Sequence, residues 1–337
     1  MIKEAIEKVV RKIDLTEDET RGVFDEIMSG RAAPADIKTF LEALRKKSES
    51  IVEITAATRV MRARSARIDS GTDTVLDTCG TGGSGINAFN ISTTAAFVVA
   101  GCGVKVAKHG NRSASQQCGS ADVLEALGVK IDIAPEPVAK CIHEVGIGFM
   151  FAPVFHAAMK YAALPRKELG GKTIFNILGP LSNPACATHQ VIGVYSPQLT
   201  EIIAGVLKNL GSKRAFVVHG MDGLDEITIT GNTKISELND GRIDTYDVKP
   251  EDFGFKRARL EDIKGGSAKE NAEILLSVLK ASAMPAQRDI VLANASAGLV
   301  CVGRSRNFKE GVKLAEESID SGCALDKLLK LIEMTNI

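Results

Sequence analysis

The sequence has no tryptophan and only 4% aromatic residues, so it is poorly supplied for base-stacking platforms or a ring-lined carbohydrate cleft. It also lacks net charge. Its 42 basic side chains balance 42 acidic ones, and no global field draws the chain to nucleic acid or to an anionic membrane. Any anion it holds must be held by local groups. The most apolar stretch, 93–106, is interrupted by Gly101, Gly103 and Lys105 and is too short to cross a bilayer. The first residues, Met1-Ile2-Lys3-Glu4, are charged and helical in pattern and do not read as a signal peptide. Seven cysteines (Cys79, Cys102, Cys118, Cys141, Cys186, Cys301 and Cys323) are scattered without a C-x-x-C pair. That spacing argues against a disulfide framework or a zinc site and for reduced thiols in the cytoplasm.

What is present begins with helices. Ile6, Val9, Val10 and Ile13 recur at helical spacing, as do Ile37, Phe40, Leu41 and Leu44. Thr16 with Glu19 fits a capping box ahead of a helix carrying Val23, Phe24 and Ile27, and Gly30 and Pro34 punctuate its end. The expectation is a small helical domain over 1–70. From about Thr74 short β-branched runs alternate with helical patterns. Strands are expected at 74–77, 104–107, 190–195, 215–219 and 289–292, with helices at 92–100, 309–320 and 325–334. Strands separated by helices imply βαβ units and a mostly parallel sheet covered on both faces. The expected fold class is therefore α/β, with a helical N-terminal domain joined to a larger α/β domain over 71–337. The charged stretch 164–171 is expected to open a return of the chain to the helical domain, over about 164–185.

The densest chemical signal is Asp77-Thr78-Cys79-Gly80-Thr81-Gly82-Gly83-Ser84-Gly85, followed by Asn90-Ile91-Ser92-Thr93. A strand feeds a turn of four glycines and a helix starts soon after. Glycines let backbone N–H groups approach a ligand, and the helix start adds orphan donors, which together suit a phosphate. Two common phosphate motifs fail. Gly80 to Gly85 matches G-x-G-x-x-G, but the acid needed about twenty residues on is replaced by Lys105, Lys108 and His109. A P-loop needs Gly-Lys-Ser/Thr, whereas Gly85 precedes Ile86 and Asn87.

A basic patch, Lys108-His109-Gly110-Asn111-Arg112-Ser113, follows the second strand, and the donor content of this cluster suits a polyanion. Next comes 119–128, a short helix expected to be capped by Ser120 and ended by Gly128. Asp225-Glu226 follows the strand at 215–219, and hard carboxylate oxygens at a strand end suit Mg²⁺ beside a phosphate-rich ligand.

These motifs, in this order and over nearly the whole chain, resemble the anthranilate phosphoribosyltransferases. Asn176-Ile177-Leu178-Gly179-Pro180-Leu181, Asn183-Pro184, His219-Gly220 and Gly223-Leu224-Asp225-Glu226 add to the resemblance. It implies transfer of the phosphoribosyl group from phosphoribosyl pyrophosphate to the amine of anthranilate, in tryptophan biosynthesis, by a cytoplasmic homodimer. It implies that phosphoribosyl pyrophosphate meets Gly80, Gly83, Ser84, Asn90, Ile91, Ser92, Thr93, Lys108, His109, Gly110, Asn111, Arg112, Ser113 and Ser120. It implies anthranilate near Gly80, Asn111 and Arg166, and Mg²⁺ near Ser92, Asp225 and Glu226. Ser84, often Asp in the family, and Ala88, usually a hydroxyl residue, depart from the pattern. No dedicated general base is expected, since an aromatic amine is neutral at pH 7; His109 is the nearest titratable group. Two alternatives compete with this reading. A pyrimidine-nucleoside phosphorylase has a similar Lys-His-Gly-Asn-Arg stretch but uses free phosphate. A non-catalytic homologue would not need Lys108, Arg166, Asp225 and Glu226.

Overall fold

The structure is a computed structural model that describes residues 1–83, 85–113 and 118–337. Its N-terminal region is helical: α1 (Ile2–Val10), α2 (Glu17–Met28), α3 (Pro34–Lys47) and α4 (Ile51–Ala63). Local chemistry starts two of these helices. Glu19 N–H donates to Thr16 Oγ1 at 3.3 Å while Thr16 N–H donates to the Glu19 carboxylate at 3.0 Å, closing the expected capping box. Ser50 and Glu53 repeat the device at α4. Glu53 is fully buried, and its charge is matched by Lys47 at 2.8 Å and the Leu15 N–H at 3.0 Å. The helices bury Phe24, Ile27, Phe40 and Leu41, with the Phe24 ring edge-on to Phe40 at 6.2 Å.

Seven strands then form one sheet: β1 (Leu76–Gly80), β2 (Val106–Gly110), β3 (Ile147–Phe151), β4 (His189–Gly193), β5 (Arg214–Gly220), β6 (Thr233–Asn239) and β7 (Arg242–Val248). The order is β3-β2-β1-β4-β5-β6-β7. The first five pair in parallel, and β6 and β7 add an antiparallel hairpin. The chain is thus a helical N-terminal region followed by an α/β domain with a mostly parallel sheet. One face packs on α5 (Ile91–Gly101) and the helix Pro285–Cys301, burying Phe97, Val99, Ile290 and Leu292. The other face shares a core with the helical region, where Ile192, Ile203 and Val217 join Phe24 and Leu44. Helices Lys160–Leu169 and Ile174–Leu181 return to that region: Ala162, Ile174 and Leu178 enter its core, and Phe175 packs 5.9 Å from Phe24.

Three sequence expectations need correction. Residues 289–292 are helical, in the middle of the 17-residue helix that starts at Pro285. The apolar Ile-Val-Leu run is a buried helix face there, because length and the N1 proline outweigh β-branching. The first two strands run through Gly80 and Gly110, so Lys108 and His109 lie within a strand rather than after one. Parallel pairing with β3 holds these poor strand formers extended. Ser120 is not the cap of its helix. Gly119 occupies that position, with its N–H donating to Asp122 at 2.8 Å. Strands β3, β6 and β7 carry no run that the sequence pattern singled out.

The strand order reverses at β1, whose neighbours are β2 on one side and β4 on the other. Ligands of open α/β sheets bind at such a switch point, outside the carboxyl ends of the strands. Here those ends are Gly80, Gly110, Gly193 and Gly220.

Candidate active site

A cleft of about 600 Å³ opens over these strand ends, a size suited to a small-molecule substrate. Every expected site residue except Ser84, which lies outside the described residues, lines it. The glycine turn forms one wall. Gly82 and Gly83 have φ of +64° and +74°, conformations that exclude most side chains. The turn is anchored by Thr81 N–H to the Gly193 carbonyl at 2.9 Å and by Tyr195 N–H to Thr81 Oγ1 at 3.1 Å. Asp225 accepts the Gly82 N–H at 2.9 Å. A Cβ at Gly193 would collide with the Asp225 carbonyl, so glycine there lets the acidic loop sit on the sheet.

Glu226, beside Asp225, accepts the Ser92 N–H at 3.2 Å at the start of α5. Burial, then the neighbouring Asp225 charge, push its carboxyl up to about 8. Lys108 reaches the same floor. It is 3% exposed, and its ammonium donates to the Thr78 carbonyl. Burial lowers its affinity for a proton, and Asp77 opposes that effect. Asp77 is itself fully buried and accepts Asn183 Nδ2 at 2.8 Å and the His109 N–H at 3.2 Å. Acidic groups and an ammonium therefore gather at the turn.

Asn90 precedes the first turn of α5 but does not cap it with its side chain. Its Oδ1 accepts from Asn271 Nδ2 at 3.0 Å and its Nδ2 donates to the Cys118 carbonyl at 3.4 Å, fixing the amide across the cleft. Ile91 and Thr93 are buried, leaving Ser92 as the open side chain of that turn. Arg112 is placed differently from its neighbours. Its guanidinium is shared by Glu125 at 2.8 Å and Asp122 at 3.0 Å, on the outer rim. The Ser120 hydroxyl donates to the Asn111 carbonyl at 3.4 Å, which ties the two ends of the 111–120 segment.

The opposite wall carries little charge. Arg166, on the helix Lys160–Leu169, lays its guanidinium on the Phe175 ring at 5.2 Å, and among the described residues no carboxylate pairs with it. Burial lowers its proton affinity. His109 and His156 lie face to face at a tilt, with ring centroids 5.0 Å apart. Burial depresses His109 to about 3 and His156 to about 4, so both imidazoles are neutral at pH 7. His109 Nε2 and both ring nitrogens of His156 are buried and make no hydrogen bond of normal geometry among the described residues, although the Gly179 and Ser182 backbones lie near enough to favour the charged forms weakly.

Sequence reasoning missed His156 and Asn271. Neither belongs to a motif: His156 lines the cleft, and Asn271 acts on it only through Asn90. Among the described residues no three His, Cys, Asp or Glu side chains cluster as metal ligands. The pair Asp225-Glu226 is the acidic feature that faces the glycine turn.

Comparison with known proteins agrees with this geometry. Residues 3–65 match the helical bundle domain of a glycosyl transferase family, and residues 72–325 match the a/b domain of that family. The anthranilate phosphoribosyltransferase of Desulfosudis oleivorans is 53% identical over 335 residues, covering 99% of both chains. That of Moorella thermoacetica is 55% identical over 332 residues, 98% of each. The chain belongs to the anthranilate phosphoribosyltransferase family. Among solved structures of that family, the Thermus thermophilus enzyme superposes with a TM-score of 0.93 at 41% identity, covering 99% of each chain. The Saccharomyces cerevisiae enzyme, in complex with PRPP and Mg, superposes at 0.92 with 30% identity, covering 99% of this chain and 98% of the other.

Proposed function

We propose that this chain transfers the 5-phosphoribosyl group from phosphoribosyl pyrophosphate to the amine of anthranilate, releasing pyrophosphate, as a step of tryptophan biosynthesis. One observation carries the reading: a glycine turn with an acidic pair faces, across a single cleft at the switch point of the sheet, an arginine with no described carboxylate partner. The first wall suits a metal-bound diphosphate and the second a small aromatic carboxylate.

In this reading the diphosphate and ribose lie along Gly80, Gly83, Asn90, Ile91, Ser92, Thr93 and Lys108, with His109 to Ser113 and Ser120 closing the far side. Anthranilate lies near Gly80, Asn111 and Arg166. The donor set fits Mg²⁺, which takes one or two protein carboxylates and leaves its other positions to water and phosphate. Burial first, and then the adjacent Asp225 charge, disfavour the ionised Glu226 carboxyl, and a divalent cation beside the pair would favour it. Ser92, Asp225 and Glu226 would hold the ion, which when bound would supply charge neutralisation to the departing diphosphate.

The chain's own residues do the rest. Backbone N–H groups of the glycine turn and of the start of α5 would meet developing negative charge, those of Gly82 and Ser92 being held by Asp225 and Glu226 in this structure. The Lys108 ammonium, held under the turn, adds a fixed positive charge. Arg166 offers two parallel donors to the acceptor carboxylate, and the Phe175 ring keeps its plane fixed. The aromatic amine is neutral at pH 7 and needs orientation rather than deprotonation. A His109 side chain depressed to about 3 is a weak base, in keeping with a reaction that needs no dedicated one.

The decisive assay is the loss of anthranilate fluorescence with phosphoribosyl pyrophosphate and Mg²⁺, each omitted in turn. Absence of turnover in the complete mixture sinks the reading. The same reading makes the enzyme a cytoplasmic homodimer. Val10 and Ile13, 64% and 49% exposed at the end of α1, support a protein contact on the helical region. Light scattering at assay concentration tests it, and a monomeric mass would refute it.

A further inference from the structure

The segment that joins helices Lys160–Leu169 and Ile174–Leu181 carries a lysine that no motif marks. Lys172 leaves the helical region and lays its side chain along the glycine turn. A Cβ at Gly83 would come within 2.7 Å of Lys172 Cε and 3.5 Å of Nζ, so the stem of the lysine fills the space that the missing side chain leaves. Its ammonium sits 3.6 Å from the centroid of the Tyr195 ring, just beyond the end of β4. The Asp225 carboxylate lies close enough to act on its charge, and burial opposes that charge. Across the other side, Arg45 of α3 donates to the Gly170 carbonyl at 2.9 Å and reaches the Lys172 carbonyl at 3.5 Å. The lysine backbone is thus tied to the helical region, while its charged end rests on the glycine turn of the α/β domain.

We propose that Lys172 is a further diphosphate-binding residue, delivered to the glycine turn by the helical region. This rests on the phosphate reading of the turn given above. A cation held by an aromatic face and one flanking acid is only partly compensated, and it stands against the glycine turn read above as the phosphate site. A diphosphate entering the turn gives it a charge-assisted partner stronger than the ring. Because Arg45 holds the lysine backbone, that contact also draws the helical region onto the occupied turn. Lys172 therefore links diphosphate occupancy to the wall that carries Arg166 on the preceding helix.

The test is calorimetric titration of inorganic pyrophosphate with Mg²⁺ into wild type, Lys172→Met and Lys172→Arg, alongside steady-state kinetics and melting temperatures. Methionine keeps an unbranched stem against Gly83 and Tyr195 and removes the charge. Its pyrophosphate Kd and its KM for phosphoribosyl pyrophosphate rise about tenfold or more, the effect of losing one charge-assisted contact. The KM for anthranilate stays within about twofold, and arginine restores pyrophosphate binding to within about threefold of wild type. Wild-type pyrophosphate affinity in Lys172→Met overturns the inference. So does a fall in melting temperature that arginine fails to restore together with binding, since that marks a structural role. If methionine prevents folding, Lys172→Gln takes its place under the same criteria. Failure of wild type itself to bind pyrophosphate would instead sink the phosphate reading of the turn.

Discussion

The two walls of the cleft solve opposite electrostatic problems. Under the glycine turn, Asp77, Lys108, Asp225 and Glu226 crowd together, and the carboxylates among them are held by backbone and amide donors. Across from them, Arg166 lies on Phe175 with no carboxylate partner among the described residues, and two adjacent imidazoles stay neutral. The first wall is a charge lattice awaiting a cation and a polyanion. The second holds the Arg166 guanidinium, stacked on an aromatic ring beside Lys160. A substrate pair made of a highly charged leaving group and a flat aromatic acid matches that division. Partial compensation, and not charge count, tells which wall takes which group.

The largest effect should come from dismantling the acidic wall. Asp225→Asn combined with Glu226→Gln removes both hard ligands while Asp77 still faces Lys108. Turnover should fall by on the order of 10²–10³-fold, as for the loss of preorganised transition-state stabilisation. The Mg²⁺ concentration needed for half activity should rise in parallel. An unchanged Mg²⁺ titration would remove the pair from the metal site and break the comparison at its stronger side.

Arg166→Ala attacks the other wall. Loss of a charge-assisted contact costs about 1.5–3 kcal/mol, or roughly 10- to 100-fold in kcat/KM for anthranilate. The KM for phosphoribosyl pyrophosphate should move little if the walls are independent. Equal shifts in both constants would show that Arg166 supports the whole cleft and does not belong to one wall.

The sequence exposes these walls unequally. The helical N-terminus is legible because Thr16-Glu19 and the Ile37, Phe40, Leu41, Leu44 stripe are local signals that the fold keeps. The glycine turn is legible for the same reason: its chemistry is contiguous. Strand limits are not, because Lys108 and His109 are extended by pairing with β3 and not by propensity. The hairpin β6–β7 escapes notice because Lys234, Glu237 and Asp244 break its apolar alternation and cross-strand partners lie outside any local window. The run 289–292 misleads because four residues cannot distinguish a buried strand from a buried helix. His156, Asn271 and Lys172 gain meaning only from what the fold sets beside them.

The smallest effect sharpens the claim that the second wall is kept nearly uncharged. His109 and His156 have folded values of about 3 and 4, below the ordinary value of 6.5. Between those limits the unfolded chain binds protons that the folded chain refuses, so stability falls as pH drops from about 6.5 toward 4. Above 6.5 both states are neutral at these positions and the effect vanishes. His156→Leu removes one such group at little hydrogen-bonding cost, because neither of its ring nitrogens makes a hydrogen bond of normal geometry among the described residues. Melting temperature measured from pH 7.5 down to 4.5 should therefore fall less steeply in the variant than in wild type, by about a few degrees at the acid end, with the two curves running parallel above about pH 6.5. Parallel curves over the whole range would mean that the imidazole takes up its proton in the folded cleft, and that the second wall tolerates more charge than the burial of His156 implies.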